Sequence, residues 1–143
     1  MAIDGEITTV IAALGHGTES PEVAKAFALA EPDVLGKPIR QDGHLYEQRF
    51  AQAAGVSYKF KDDALIRVVV YFVPLRGFTP YARPDEVLIG MSPSSKPEQV
   101  RGILGTPVES DEYADDFAME KGIVFVEYGD VGVDSITAMI SAD

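Results

Sequence analysis

The feature that most constrains the fold is an internal repeat within a chain of 143 residues. Aromatic, glycine and aliphatic residues recur at a constant offset of 67 positions. The matched pairs are Tyr46 with Tyr113, Phe50 with Phe117, Gly55 with Gly122, Val56 with Ile123, and Tyr58 with Phe125. After a small insertion, residues 66–70 match residues 136–140. Because a sheet with one apolar face must bury it, two such small units are expected to share one core.

Within each unit, the spacing of apolar residues changes from that of a helix to that of a strand. Residues 3–14 carry apolar side chains at helical spacing, and Ser20 followed by Pro21 is typical of the start of a second helix. Val56 then begins a segment in which apolar and polar residues alternate. Residues 32–43 are predicted to form a loop because they are rich in Pro and Gly.

We therefore predict an α+β fold made of two tandem repeats, each a helical part plus an antiparallel sheet. The helices should pack on one face of a curved antiparallel sheet. The predicted boundaries are 1–75 for the first repeat, 76–92 for a connecting segment and 93–143 for the second repeat, all in one compact unit.

The segment from Leu88 to Glu109 has three glycines and three prolines, which raises the question of a phosphate-binding loop. A Walker loop needs Gly directly before its Lys, but Ser95 precedes Lys96 here. A G-x-G-x-x-G dinucleotide pattern is also absent. The segment instead predicts a helix over 96–104. Its signals are Ser94 or Ser95 as the N-cap, Pro97 and Glu98 in the first turn, Gly105 as a left-handed residue at the end, and Pro107 beyond it.

The residue types indicate binding rather than catalysis. The chain has no cysteine, which excludes disulfides, thiolate metal sites and cysteine nucleophiles. His16 and His44 lack metal-ligand spacing, and no G-x-S-x-G nucleophile motif is present. The acidic stretch at 109–120 does not follow the spacing of a calcium-binding EF-hand. We therefore expect no enzyme activity, no metal and no cofactor.

Charge is distributed unevenly along the chain, whose net charge is −11. Residues 1–107 contribute −2, whereas residues 108–143 contain 10 acids and a single base and contribute −9. Such a field repels nucleic acid and anionic membranes and attracts basic proteins. The simpler interpretation is that the acids only provide solubility, and both interpretations remain open at this point.

Two clusters are candidates for a partner-binding surface. The first is acidic and contains one tyrosine, and the second lies on a proline-rich loop with aromatic residues of the kind found at interface hot spots. The candidate residues are Glu109, Asp111, Glu112, Tyr113, Asp115, Asp116 and Glu120 in the first cluster, and Phe78 and Tyr81 in the second. The alternatives are that the acids form a solvated edge, that Tyr113 packs inward, and that the loop aromatics cover the junction between the repeats.

Parts of the chain resemble known families. Residues Gly90, Met91, Ser92, Val100, Leu104, Gly105 and Pro107 resemble the opening of the small α+β repeat of β-lactamase-inhibitor proteins and outer-membrane assembly lipoproteins. The segments GVSYKF, LIRVVVYF, PDEVLIGMS and GVDSITAMI are similar to small immunity proteins of the pyocin or bacteriocin type. The resemblance implies a protein that acts by binding and has no catalytic residues.

These observations lead to one main hypothesis and two alternatives. The main hypothesis is a cytoplasmic immunity protein that binds and inhibits a cognate bacterial toxin, a basic protein domain, through its acidic surface. The first alternative is a scaffold, an assembly adaptor or a self-associating structural protein. The second is a small-ligand-binding α+β domain. The N-terminal residues carry acids where a signal peptide would need basic residues, and no apolar run is long enough to cross a membrane, so a cytoplasmic location is expected.

Overall fold

The computed structural model describes residues 3–140 as a layer of helices over a nine-stranded antiparallel sheet. The helices are α1 (Glu6–Ala13), α2 (Pro21–Leu29), α3 (Pro84–Val87) and α4 (Pro97–Leu104), with one 3₁₀ turn at Gln52–Ala54. The strands are β1 (Val34–Leu35), β2 (Ile39–Gln41), β3 (His44–Ala51), β4 (Val56–Lys61), β5 (Ala64–Tyr71), β6 (Glu109–Ser110), β7 (Ala114–Ala118), β8 (Ile123–Tyr128) and β9 (Val133–Met139). The predicted α+β class and antiparallel sheet are confirmed. None of the helices described in residues 3–140 is long and apolar enough to cross a membrane.

The sheet is built from two meanders joined at its centre. The strand order is β1-β3-β4-β5-β9-β8-β7-β6, with β2 paired to β3 outside this path. Strand β5 pairs with β9, so the meander β3-β4-β5 continues directly into the meander β9-β8-β7. Alternation places Tyr58 and Phe60 of β4, and Val124 and Val126 of β8, in the same hydrophobic core as the helices.

The alternating pattern predicted the inward face of β4 correctly. Val56, Tyr58 and Phe60 are all buried, and Asp62 and Asp63 form the turn after them, both with positive φ. The hydroxyl of Tyr58 donates to the carbonyl of Ala30 at 2.7 Å, which ties the end of α2 to the sheet. The second helix also begins as predicted, because Ser20 Oγ accepts the Val23 N–H at 3.2 Å.

At the offset of 67, β4 and β8 have matching bounds and the glycines before them, Gly55 and Gly122, both have positive φ, but the matched side chains do not lie on the same face of the sheet. Tyr58 is buried, but its match Phe125 is half-exposed on the opposite face of the sheet. In the strand pairing, Ile66 is the extra residue of a bulge in β5 and Asp134 is the extra residue of a bulge in β9, an offset of 68. At this offset Tyr58 corresponds to buried Val126. A shift of one residue moves every side chain of a strand to the other face, which is why residues matched at an offset of 67 lie on opposite faces.

Three local predictions also need correction. The segment 32–43, predicted as a loop, contains β1 and β2, which extend the edge beside β3. The connecting segment 76–92 contains the short helix α3. The N-cap of α4 is Lys96 rather than a serine, and its backbone N–H donates to the side chain of Gln99 at 2.8 Å.

Neither serine caps α4, and for Ser95 the reason lies in the loop before the helix. Ser95 is buried, and its hydroxyl accepts the backbone N–H of Ser92 at 2.9 Å, so it stabilises the loop and not the helix. Gly105 ends the helix with a positive φ of 94°, as expected for glycine, but its ψ of −160° lies outside the left-handed helical region.

Candidate protein-binding surface

One face of the sheet lies away from the helices and is called here the open face. Its residues come from every second position of the strands, facing away from the core. They are Tyr46, Gln48 and Phe50 of β3, Ser57, Lys59 and Lys61 of β4, Arg67, Val69 and Tyr71 of β5, Ser135, Thr137 and Met139 of β9, Ile123, Phe125 and Glu127 of β8, Ala114 and Asp116 of β7, and Glu109 of β6. A loop covers one corner, where Phe78 stacks on Tyr71 at 4.6 Å between ring centroids.

The acidic end of the open face lies on β6, β7 and the turn between them. Glu109 and Asp116 face each other across the strand pair, and Asp111 lies in the turn. Together with Ser110, Ala114 and Phe125, they line an open hollow of about 370 Å³. Partial burial and the neighbouring charges of Glu109 and Asp111 raise the pKa of Asp116. These carboxylates therefore repel one another, and a basic ligand would relieve that repulsion.

The turn between β6 and β7 is held in place by the side chain of Asp111, which lies within it. Asp111 Oδ1 accepts the backbone N–H groups of Tyr113 at 2.7 Å and Ala114 at 2.9 Å. This holds Tyr113 outward with 67% of its surface exposed. The alternative that Tyr113 packs inward is therefore wrong. Glu112 is exposed beside it, and a hydrogen bond to this carboxylate raises the pKa of the Tyr113 hydroxyl.

Asp115 was predicted to belong to the exposed acidic surface, and the structure buries it completely. Arg101 of α4 donates to both of its carboxylate oxygens, at 2.9 and 3.0 Å. Ser110 and Tyr128 donate to it as well, at 2.5 and 2.9 Å. Burial alone would raise the pKa of Asp115, but these hydrogen bonds and the Arg101 charge outweigh it, so the pKa lies below its usual range. Asp115 therefore fixes α4 to β7 and does not face a partner.

Three other predicted residues are not part of this surface. Glu120 is exposed, but it lies beyond the far end of β7 from the β6–β7 turn. Phe78 is only 7% exposed because it packs between Phe50 and Tyr71. Tyr81 is 6% exposed.

The position of Tyr81 follows from a polar cluster under the loop. Its hydroxyl donates to Glu6 of α1 and accepts from Arg83. Arg83 also donates to the carbonyl of Leu29 at 2.8 Å, at the end of α2. Phe78 and Tyr81 are therefore buried inside the structure, as expected if the aromatic residues of this loop cover an internal junction.

Sequence reasoning missed a basic end on the same open face. Lys59, Lys61 and Arg67 line a hollow of about 420 Å³ together with Tyr46, Met139 and one acid, Asp42. Among residues 3–140, none of these three cations forms a salt bridge. The ammonium groups of Lys59 and Lys61 lie 5.3 and 5.9 Å from the centroid of the Tyr46 ring.

The charges at the basic end also repel one another. Partial burial and the neighbouring charge of Arg67 lower the pKa of Lys59. The available signal in the sequence was the alternation of Lys59 and Lys61 together with an arginine inside an otherwise apolar strand. It became informative only once the strand pairing placed Lys59 directly opposite Arg67.

The histidines remain apart in the fold. His44 Nδ1 lies 2.5 Å from Asp62 Oδ2, and His16 Nδ1 lies 3.7 Å from Glu22 Oε2. Within the described range 3–140, no three His, Asp or Glu residues are grouped so that they could hold a metal ion. In comparisons with protein-family models, curated proteins and solved structures, the chain matches none of them.

Proposed function

We propose that this chain is a non-catalytic protein-binding protein of the immunity type, which acts in the cytoplasm and blocks a basic bacterial toxin. The observation that carries the proposal is the acidic end of the open face. Glu109, Asp111 and Asp116 lie together there, Glu112 and the exposed Tyr113 lie in the adjoining turn, and none of the four carboxylates forms a salt bridge within residues 3–140.

This arrangement has the properties of a docking site for a cationic surface. A concentrated negative field speeds the encounter with a basic partner, and complementary charges set the orientation of the complex. An exposed tyrosine supplies a large contact area with few rotatable bonds, so it can serve as an anchor. The hydrogen bonds of Asp111 and the Arg101–Asp115 pair hold this site in place before binding, which reduces the ordering cost. Inhibition would follow from covering the toxin.

We also propose that the two meanders are tandem repeats of one α+β unit, with the structural offset of 68 rather than 67. The support is that the β4–β5 and β8–β9 pairs share the same register, including a bulge at Ile66 and at Asp134. Bulges at matching places are specific features of a strand pair. Duplication would explain why the open face continues across both units.

The test uses the protein encoded by the reading frame next to this one, expressed as a candidate toxin. We expect a one-to-one complex and loss of the toxin's activity. A variant with Glu109→Gln, Asp111→Asn, Glu112→Gln and Asp116→Asn should associate at least about tenfold more slowly at low salt, with a weaker dependence on salt. The amide at position 111 keeps an acceptor for the turn, so the hairpin should remain folded.

The matched control neutralises the same number of acids away from this end of the sheet. Glu19→Gln, Glu31→Gln, Asp33→Asn and Asp85→Asn are all exposed positions, and this variant has the same net charge as the first. It should associate at nearly the wild-type rate. If both variants slow association equally, net charge alone is responsible. If neither does, the acidic end does not bind the toxin.

A second candidate function, that of a self-associating structural protein, is supported by a different feature of the open face. The open face carries a basic end as well as an acidic one, and a toxin-binding function uses only the second.

A further inference from the structure

We infer that the open face is the contact surface of a homodimer. Two copies would pack face to face about a two-fold axis that runs roughly along the strands. The basic end of each copy, formed by Lys59, Lys61 and Arg67, would then lie on the acidic end of the other, formed by Glu109, Asp111 and Asp116. This inference does not depend on the proposed toxin, because it concerns the purified protein alone.

The basic end of one copy and the acidic end of another are complementary in charge. No member of either end forms a salt bridge among residues 3–140, and the basic end keeps an excess of positive charge although Asp42 also lines its hollow. The two ends lie on one face, four strand spacings apart from β4 to β7, which is about 19 Å. The two ends therefore cannot neutralise each other within one molecule. A second copy matches both at once, since every copy carries one end of each sign.

Geometry is the second argument. Two molecules related by a two-fold axis in the contact plane exchange their two ends. Strand pairing puts Lys59 and Arg67 in the row of Met139 and Ile123, one row along the strands from Asp116 and Glu109, so an axis tilted away from the strand direction places the basic end on the acidic end. With this tilt the strands of the two sheets cross at an angle, as packed sheets commonly do. An axis across the strands would place like charges together and is therefore excluded by the charge pattern.

The centre of the open face carries partly exposed apolar side chains on either side of Thr137, which is polar and only 4% exposed. One row across the sheet, fixed by strand pairing, runs from Val69 through Thr137 and Phe125 to Asp116. Ile123 and Met139 lie opposite each other in the next row. An apolar centre between charged rims is the usual anatomy of a protein interface.

The area available indicates a weak dimer. A standard interface covers about 800 Å² on each partner, which is roughly a tenth of the 7775 Å² surface described here. The strip of open face between β4 and β7 is smaller than that, about 19 Å by about 17 Å in projection. We therefore expect a dissociation constant on the order of micromolar, with strong dependence on salt.

The test is sedimentation equilibrium of the purified chain over concentrations that span the micromolar range, at low and at high salt. The wild type should change from monomer to dimer with concentration at low salt and remain monomeric at high salt. Two charge-reversed variants make the test specific. Lys59→Glu with Lys61→Glu makes both ends acidic, and Glu109→Lys with Asp116→Lys makes both ends basic. Each variant alone should associate at least about tenfold more weakly than the wild type.

Mixing the two variants is the decisive measurement. An equimolar mixture should form a one-to-one heterodimer with at least the wild-type affinity, because both contacts again join opposite charges. The control is Lys25→Glu with Lys37→Glu, which has the same net charge as the first variant and does not alter the basic end. It should dimerise like the wild type.

Several outcomes would overturn the inference. They are a wild type that stays monomeric at every concentration, a dimer that either reversed variant leaves unchanged, and a mixture that does not associate. If a reversed variant does not fold, as judged by circular dichroism, Lys59→Gln with Lys61→Gln replaces it and should still weaken the dimer. A failed toxin-binding test would leave these measurements unaffected.

Discussion

The contact between Arg101 and Asp115 provides the most quantitative prediction about stability. Asp115 is fully buried, whereas the Arg101 side chain remains 41% exposed. Replacing Arg101 by Met keeps most of the side-chain volume but leaves a buried carboxylate with only Ser110 and Tyr128 as donors. Removing one partner of a buried pair costs about 3–5 kcal/mol, and water near the guanidinium position favours the low end, about 3 kcal/mol.

The expected change in melting temperature follows from the chain length. Unfolding entropy of about 2.1 cal/mol/K per residue over 143 residues gives about 0.3 kcal/mol/K. A loss of about 3 kcal/mol therefore lowers the melting temperature by about 10 °C. Differential scanning calorimetry and urea titration at neutral pH measure this change directly.

The same substitution should become less harmful in acid. In the wild type the pKa of Asp115 is lowered on folding, so its stabilisation is fully present above the unfolded pKa and is lost as pH falls through the folded pKa. Without Arg101, burial should raise that pKa, so the carboxyl can take up a proton as pH falls, which relieves the unpaired charge. The stability difference between the two proteins should therefore narrow on acidification.

The double variant Arg101→Met with Asp115→Asn serves as the control. Because no buried charge remains, it should be more stable than Arg101→Met alone at neutral pH and should lose the acid dependence. A cost below about 1 kcal/mol for Arg101→Met, or a stability difference that stays constant between neutral and acidic pH, would refute the view that Asp115 depends on this arginine.

Two further changes test how the sheet is held. Tyr58→Phe should cost about 1–2 kcal/mol in urea titration, because the buried carbonyl of Ala30 loses its donor, and a cost near zero would show that the hydroxyl contributes nothing. Gly55→Ala should cost at least about 2 kcal/mol, since the new methyl group would overlap the carbonyl oxygen of Thr79 at a positive φ. Gly43 has a similar φ of 80° with open space around it, so Gly43→Ala should lower the free energy of unfolding by only about 1 kcal/mol. Equal losses of stability in the two variants would rule out the clash at Gly55.

Local features of the fold were predictable because neighbouring residues decide them. The period-two pattern of β4 predicted which of its side chains are buried, and Ser20 with Pro21 predicted the start of α2. The acidic stretch at 109–120 was also accessible from the sequence because it depends on composition alone, whereas the exposure of Tyr113 was left open there and was decided by the structure.

The composition of the candidate surface was not predictable in the same way. Asp115 looks like its acidic neighbours in the sequence, and only the approach of α4 brings Arg101 to it. Lys59 and Arg67 become neighbours only through the pairing of β4 with β5.

The sequence by itself therefore determined the longer helices and the central strands, the α+β class and the concentration of negative charge in the last quarter of the chain, but not the short elements β1, β2 and α3. Outside β4, the tertiary structure decided which side of each strand faces solvent, and with it the existence of an open face with a basic and an acidic end. The physical reason is the two-residue period of a strand. A register that differs by one position exchanges core and surface, and long-range pairing alone sets that register.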